Sequence, residues 1–364
     1  MTVKECKFLD FRNMSFVEWQ PGDGVNVICG QNAQGKTNLL EGLWLFTGGK
    51  SFRGSKDAEL VKIGSPRARL QCTFEADGRE QTADIQIEKR RKITLNGVAL
   101  SSPTKMTGLF GAVVFSPDHL MMIKGSPDGR RRFLDAALCQ VKPGYIKTYS
   151  EYMHIVQQRN ALLKDWFRFG DDTILEAWNK RMSAAAAEMV VARRDYVARL
   201  RAYATEFYAG LSSHKEKFEI DYEPEKGYES LSKDEIAAYW EETIAAARQA
   251  DVGAGFSTVG PHREDLSVSV AELSARAFGS QGQQRSAVLA LKMAEAAVLG
   301  EITGERPAIL LDDVMSELDV DRQNYLMNHL AGWQVFITAC DPSALGRLSK
   351  GRVFRMESGN LSET

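Results

Sequence analysis

Short runs of alternating apolar and polar residues open the chain: Val3 to Leu9, Ser15 to Trp19, then Val25-Asn26-Val27-Ile28-Cys29 running into Gly30. Alternation of period two over such lengths predicts β-strands. From Lys36 the period changes, and Leu39, Leu40, Leu43, Trp44 and Phe46 fall on one face of a helix. Between Ala68 and Leu100 strand character returns, with Ile85 and Ile87 at alternate positions and a hairpin turn at Asn96-Gly97, where both residues tolerate positive φ. These segments predict an antiparallel layer beside a strand-loop-helix core, followed by one more short strand, Ala112 to Phe115.

The middle of the chain repeats at intervals of three and four: Ile146, Tyr149, Met153, Val156, Asn160, Leu163 and Phe167, then Leu175, Trp178, Met182, Ala185, Met189, Ala192 and Tyr196. Two such seams separated by Gly170-Asp171-Asp172 predict a helical hairpin packed like a short coiled coil, with Asn160 at a seam position fixing register. The second helix is expected to run to about Leu211, an arm on the order of 50 Å at 1.5 Å per residue. A polar, charged stretch from Lys215 to Asp234 and a helix to about Gln249 follow. Gly253 and Gly255 then mark a return to strand and loop, with a strand from Leu266 to Val270. A helix from Gln283 to Leu299, a buried strand Ala308 to Leu311, a helix from Asp321 to Leu330 and a strand Gln334 to Thr338 complete the pattern. The expected organisation is α/β, with a core formed by residues 1–116 and 254–364 and interrupted by a helical lobe at 117–253.

Composition narrows this little. The 364 residues are 44% hydrophobic and 26% charged, ordinary values for an ordered globular chain. The Met1-Thr2-Val3-Lys4-Glu5 start and the lack of an apolar run of membrane-spanning length predict a cytoplasmic protein without membrane association. Five scattered cysteines, Cys6, Cys29, Cys72, Cys139 and Cys340, lack metal-ligand spacing and are read as buried thiols. A formal net charge of −2 means that any nucleic acid must be held by a local basic surface. Three clusters qualify: Lys89-Arg90-Arg91-Lys92, Arg130-Arg131-Arg132, and Arg193, Arg194, Arg199 and Arg201. Taken alone, each is more often a solvated face.

Two motifs carry chemistry. Gly30-Gln31-Asn32-Ala33-Gln34-Gly35-Lys36-Thr37 matches the P-loop pattern residue for residue, between a predicted strand and a predicted helix as its mechanism requires. Its glycines let backbone amides curl round phosphate oxygens at a helix N-terminus, Lys36 bridges the outer phosphates, and the Thr37 hydroxyl can ligate Mg²⁺. ATP is therefore the expected cofactor, with Asn38 added to its binding set. Ala308-Ile309-Leu310-Leu311-Asp312-Asp313 delivers two adjacent carboxylates at the end of a buried strand, a Walker B arrangement. Asp312 is expected to hold Mg²⁺ and Asp313 to orient or deprotonate the attacking water, with Lys36 beside it in the catalytic set. About 270 residues separate the motifs, so a large insertion must loop out. Within that gap, Ser280-Gln281-Gly282-Gln283-Gln284-Arg285 turns straight into a helix, and Ser280, Gly282 and the helix amides form a second anion site.

With these residues the chain resembles the ABC-type ATPases, whose signature turn contacts the γ-phosphate held by the opposite subunit, and Ser316-Glu317-Leu318-Asp319 looks like their D-loop. Within that class it is similar to the RecF family over nearly its whole length. The similarity rests on Asp10-Phe11-Arg12-Asn13, the P-loop, Ser51-Phe52-Arg53, Val114-Phe115-Ser116-Pro117-Asp118 and Gly125-Ser126-Pro127 with Arg130 to Asp135. It continues through Gln158-Arg159-Asn160, Gly260-Pro261-His262-Arg263-Glu264-Asp265-Leu266, the signature turn and Asp312-Asp313. The resemblance implies an ABC-type head with an antiparallel layer and an inserted helical lobe. It adds Arg12 to the nucleotide set. It also implies ATP-dependent homodimerisation, action on single-stranded DNA and on gapped or junction duplex in recombinational repair and the SOS response, and RecR and RecO as partners. Asp313 is shorter than the glutamate usual in transporter ATPases, which predicts slow hydrolysis. Two departures stand out: no histidine follows the last core strand, leaving Thr338 as a polar candidate, and no Q-loop glutamine is evident near Ser116. His262 has two readings, a tight loop or a nucleotide contact. Competing functions are a transporter ATPase subunit and a nuclease-coupled ATPase.

Overall fold

The computed structural model describes residues 1–142, 144–223, 230–340 and 351–364. In chain order, β1 (Thr2–Phe11), β2 (Met14–Trp19) and β3 (Val25–Cys29) lead through the glycine loop into α1 (Lys36–Trp44). Then come β4 (Ala68–Ala76), β5 (Arg79–Ile87), β6 (Arg91–Leu95), β7 (Val98–Ala99) and β8 (Ala112–Phe115). The helical middle holds α2 (Leu120–Lys124), α3 (Pro127–Val141), α4 (Tyr145–Lys164), α5 (Trp166–Phe169) and α6 (Asp172–Leu211), then β9 (Phe218–Glu223), α7 (Lys233–Ala246) and α8 (Arg248–Ala254). The chain continues with β10 (Asp265–Val270), β11 (Leu273–Ser274), α9 (Gln281–Thr303), β12 (Ala308–Leu311), α10 (Val320–His329), β13 (Val335–Ala339), β14 (Gly351–Glu357) and β15 (Asn360–Glu363).

Two compact units result, one of Met1–Leu120, Phe207–Lys215 and Val288–Thr364, the other of Met121–Glu206 and Glu216–Ala287. In the first, an antiparallel sheet of order β2-β1-β4-β5-β6-β7 is joined by a second sheet of order β15-β14-β3-β13-β12-β8. In that second sheet β14, β3, β13, β12 and β8 run parallel. Parallel strands bury both faces and so read as continuous apolar runs, as Ala308–Leu311 and Ala112–Phe115 do. Between the sheets, α1 buries Leu39, Leu40 and Leu43 with Phe8, Phe11, Leu70 and Phe336 in one core. Gly42 permits this approach, because a Cβ there would lie 2.5 Å from the Phe8 ring and 3.1 Å from Leu70.

In the second unit, α4 and the first part of α6 contribute the two seams, and β9, β10 and β11 form a small antiparallel sheet. The α4 seam is offset from the predicted one. Tyr145, Tyr152, Val156, Arg159 and Leu163 are buried, whereas Met153 is 39% and Phe167 90% exposed. Arg159 is the polar seam residue, donating to Asn179 on α6 at 2.8 Å. Asn160 does not fix register between the helices. Its side-chain oxygen accepts from the amide and hydroxyl of Ser257, both at 2.7 Å, and so tethers the loop after α8. With 40 residues, α6 is about 60 Å long. Of the charged stretch Lys215 to Asp234, residues 224–229 lie outside the described residues. Within it, β9 alternates buried Phe218, Ile220 and Tyr222 with exposed acids, a strand signal masked by the charges.

The cysteines also require correction. Cys6, Cys29 and Cys72 are buried, but Cys139 is half-buried and Cys340 exposed, because Cys340 lies one residue past the end of β13.

Overpacking a tight contact typically costs about 1–3 kcal/mol, set against up to about 1 kcal/mol of helix gain on replacing glycine. Gly42→Ala should therefore lower stability by about 1–2 kcal/mol, measurable by denaturant unfolding.

Candidate nucleotide site

The C-terminal ends of β3, β13, β12 and β8 lie side by side, the edge at which parallel α/β sheets bind ligands. From β3 the chain turns through Gly30, Gln31, Asn32, Ala33, Gln34 and Gly35 into α1. Three of these residues have left-handed backbones: Gly30 at φ 153°, Ala33 at 65° and Gly35 at 116°. Glycine is enforced twice by space as well as by conformation. A Cβ on Gly30 would sit 2.4 Å from the Met356 carbonyl oxygen, and one on Gly35 would sit 2.7 Å from Asn13 Oδ1.

The loop is braced from outside. Asn13 Nδ2 donates to the Gln34 carbonyl at 2.9 Å and Asn38 donates to Asn13 Oδ1 at 2.8 Å. The Ser358 and Gly359 amides donate to the Gln34 side chain and carbonyl at 2.6 and 3.0 Å. Lys36 folds back over the loop, its Nζ donating to the carbonyls of Gly30 (2.5 Å) and Gln31 (2.9 Å). It is 8% exposed and, among the described residues, has no carboxylate within ion-pair distance. A nearly buried ammonium whose partners are two loop carbonyls and, at 3.9 Å, the Cys340 thiol, beside the unsatisfied first-turn amides of α1, suits an anion.

Asp312 follows β12, its amide donating to the Phe115 carbonyl at 2.8 Å. Its Oδ1 accepts from Thr37 Oγ1 at 2.8 Å and from Thr338 Oγ1 at 2.9 Å. The Asp313 amide in turn donates to Thr338 Oγ1 at 2.8 Å, and Asp313 has φ 54°, a left-handed conformation that few residues other than glycine, asparagine and aspartate adopt. Thr37, Asp312, Thr338 and Asp313 therefore form one hydrogen-bonded row across three adjacent strand ends. Burial pushes the Asp312 carboxyl up from its ordinary value, opposed by the two threonine hydroxyls and reinforced by the charge of Asp313. A hydroxyl and a carboxylate oxygen 2.8 Å apart are the hard donors that Mg²⁺ takes from proteins, its remaining positions going to water and phosphate. The residues thus fit both ATP and Mg²⁺.

Arg12, in the turn between β1 and β2, reaches the middle of α1. It makes paired 2.8 Å bonds to the fully buried Glu41, and further bonds to Ser55 Oγ and the Glu59 carbonyl. Ser51 also donates to Glu41. Cys340 was not anticipated here: its Sγ is 3.1 Å from Asn32 Oδ1 and 3.9 Å from Lys36 Nζ. Asn13 and Gln34 were also missed as braces, although both stand in motifs visible in the sequence.

The signature turn belongs to the second unit. Ser280 caps α9 reciprocally: its amide donates to Gln283 Oε1 at 2.7 Å and its Oγ accepts the Gln283 amide at 3.2 Å. Gln283 Nε2 donates to Glu216 at 2.7 Å and Gln284 Nε2 to the Ala275 carbonyl at 2.9 Å, fixing the turn while Ser280 remains exposed and Gly282 half-buried beside it. His262 is engaged within its own unit, 2.7 Å from the Tyr152 hydroxyl, and burial with nearby Arg263 lowers its pKa to about 4.

A strand-glycine loop-helix at the edge of a parallel sheet, facing paired strand-end aspartates and accompanied by an antiparallel layer, defines an ABC-type ATPase head. Residues 2–360 match the RecF/RecN/SMC N-terminal domain model. The chain belongs to the RecF family of DNA replication and repair proteins. It is 34% identical to the RecF of Agathobacter rectalis across 99% of both chains, and 37% identical to that of Heliobacterium modesticaldum across 100% of both. A solved structure of the recombination mediator protein RecF-ATP of the RecFOR pathway superposes with TM-score 0.93 at 33% identity, over 100% of this chain and 97% of that one. The Smc head of Pyrococcus furiosus, at 14% identity and TM-score 0.58, shares the fold. Full-length similarity to repair proteins leaves the transporter and nuclease readings without support. Among the described residues no helix is long and apolar enough to cross a membrane.

The raised Asp312 carboxyl has a signed consequence. A folded-state pKa above the unfolded one contributes stability that is present below the ordinary 3.8 and is lost as pH rises through the folded value. Asp312→Asn keeps an oxygen for both threonines and removes the buried charge. It should raise the melting temperature of the nucleotide-free protein at pH 7, with the gain disappearing in acid below about pH 4.

Proposed function

We propose that this protein is an ATP-dependent DNA-binding ATPase of recombinational repair that uses ATP as a removable bridge between two copies of itself. The single observation that carries the reading is the row Thr37–Asp312–Thr338–Asp313 beside the buried Lys36 ammonium. In that row Thr37 and Asp312 would hold Mg²⁺, which when bound neutralises phosphate charge. Lys36 would exchange its two loop carbonyls for phosphate oxygens, with the amides of Gly30 to Thr37 and the Asn38 side chain around them. Asp313 orients or deprotonates the attacking water. Its short side chain favours slow turnover, below about 1 per second. The solved RecF-ATP relative supports the choice of nucleotide.

By function, residues 1–116 and 254–364 act as the head and 117–253 as its inserted lobe, although by compactness residues 254–287 group with the second unit. Ser280 and Gly282, exposed or half-buried at the start of α9, present the turn to the γ-phosphate held by a second copy, giving a two-fold homodimer. DNA with single-strand gaps or junctions is the substrate on which the dimer acts in the cytoplasm. The RecFOR pathway named for the solved relative supports RecR and RecO as partners.

Two substitutions separate the halves of the mechanism. Lys36→Ala should abolish ATP binding, and with it self-association. Ser280→Arg should bind ATP about as tightly as the wild type but remain monomeric, with turnover lowered at least about tenfold, since a lost transition-state contact is worth 1.36 kcal/mol or more. Calorimetric titration with ATP and sedimentation of the same samples check this. A Ser280→Arg protein that dimerises normally with ATP contradicts the bridge.

A further inference from the structure

The arginines of the sequence clusters are largely spent inside the fold: Arg130 on both oxygens of Asp265, Arg193 on Asp135 and Arg91 on Asp57. The strand end beside the paired aspartates offers more. There β8 delivers Ser116, a buried hydroxyl. Phe115, the last residue of β8, pairs with Leu311 of β12, and Leu311 pairs on its other side with Ile337 of β13. The next rank across the three strands is therefore Thr338, Asp312 and Ser116. The ladder continues into that rank, because the Asp312 amide donates to the Phe115 carbonyl at 2.8 Å and Ser116 keeps an extended backbone, φ −142° and ψ 159°. Residues of one rank project from the same face of a sheet, at a strand spacing of about 4.8 Å. The Thr338 hydroxyl and the Asp312 carboxylate, bonded at 2.9 Å, show this for two of the three. Ser116 is the third member, on the side of Asp312 away from Thr338.

His119 holds that hydroxyl. The Ser116 amide donates to His119 Nδ1 at 2.9 Å, and Ser116 Oγ lies 3.1 Å from the same nitrogen. A ring nitrogen that accepts an amide carries no proton, so the hydroxyl donates to it. Burial, and after it the charge of Lys292, lowers the His119 pKa to about 3, which keeps the ring a neutral acceptor at pH 7. With its own proton committed to His119, Ser116 Oγ has lone pairs left to accept a hydrogen bond.

We propose that Ser116 is a catalytic hydroxyl that accepts one hydrogen of the attacking water while Asp313 accepts the other, and that His119 is its positioning residue. The proposal deepens the proposed function and rests on its reading of Asp313 as the partner of that water. A water with both hydrogens engaged is held in one orientation, with a lone pair left for the γ-phosphorus, and such positioning supplies much of the rate in phosphoryl transfer. As the water oxygen bonds to phosphorus, the bond to the β–γ bridging oxygen breaks and its electron pair leaves with ADP. The hydrogen facing Asp313 passes to that carboxylate, the hydrogen facing Ser116 stays on the phosphate that forms, and Ser116 itself is unchanged.

The test uses the full-length protein with ATP and Mg²⁺, and follows single-turnover hydrolysis, ATP affinity by calorimetry, self-association by sedimentation and the melting temperature. Ser116→Ala should slow hydrolysis about tenfold or more while ATP affinity and ATP-dependent self-association are kept, the pattern of a contact made in the transition state. His119→Ala leaves the hydroxyl in place but unheld, and should cost less. The double variant should be no slower than Ser116→Ala alone, because the two residues act as a unit. His119→Gln supplies an acceptor at the same position of the turn, as in an ordinary capping box, and should recover most of the rate lost in His119→Ala. The two His119 variants decide the matter if Ser116→Ala does not fold. An unchanged rate in Ser116→Ala, a loss matched by weaker ATP binding, a double variant slower than Ser116→Ala, or equal rates in the two His119 variants overturns the inference alone. Asp313→Asn is the companion control and should slow hydrolysis further still. Hydrolysis at the wild-type rate in Asp313→Asn removes the inference together with the reading on which it rests.

Discussion

The hydroxyl of Thr338 is the joint on which the site depends. It donates to Asp312 and accepts the amide of Asp313, while Asp312 receives Thr37 from the glycine-loop helix. The joint exists because β13 lies between β3 and β12, so residues 275 positions apart in the chain meet at one sheet edge. Parallel strands make this possible, since all their C-terminal ends open on the same side. The same geometry explains how Thr338 occupies the end of the last core strand without a histidine: both its proton and an acceptor lone pair are used to hold the two aspartates in place.

The energetics of that edge favour an occupied site over an empty one. Burial and the neighbouring Asp313 push the Asp312 carboxyl up, and the Lys36 ammonium is held by the loop carbonyls of Gly30 and Gln31. Each charge is costly where it stands, and each is satisfied by a ligand that brings the opposite sign. Asp313 adds backbone strain that the surrounding hydrogen bonds hold in place, as active sites commonly do. Behind the loop, Glu41 is fully buried yet satisfied by Arg12 and Ser51, so α1 is anchored at its middle while its N-terminus faces the ligand. The anchor also fixes the 49–57 loop, since Ser51 donates to Glu41 and Arg53 to Asn38 of the same helix.

The nucleotide loop, the paired aspartates and the alternating strands were legible in the sequence because each depends on local spacing. The α4 seam was misplaced because a three-four repeat does not say which of two adjacent stripes is buried, and Arg159 carries enough hydrocarbon to occupy the seam while its charge pairs with Asp251. Strand β9 was hidden by acids on its exposed face, and β14 and β15 by a short polar turn. Cys340 and Asn13 could not be placed, since their roles arise from strands that meet only in the folded sheet. The sequence likewise could not separate the basic clusters: arginines that bind carboxylates far along the chain look the same as free ones until the partners are located.

The account stands on ATP acting between two copies of the chain, and sedimentation equilibrium of the wild-type protein tests this most directly. With saturating ATP and Mg²⁺ the mass should rise to twice the 40.5 kDa of the monomer and fall back when nucleotide is removed. A mass that stays at one chain under saturating nucleotide, with gapped DNA present as well, would contradict it.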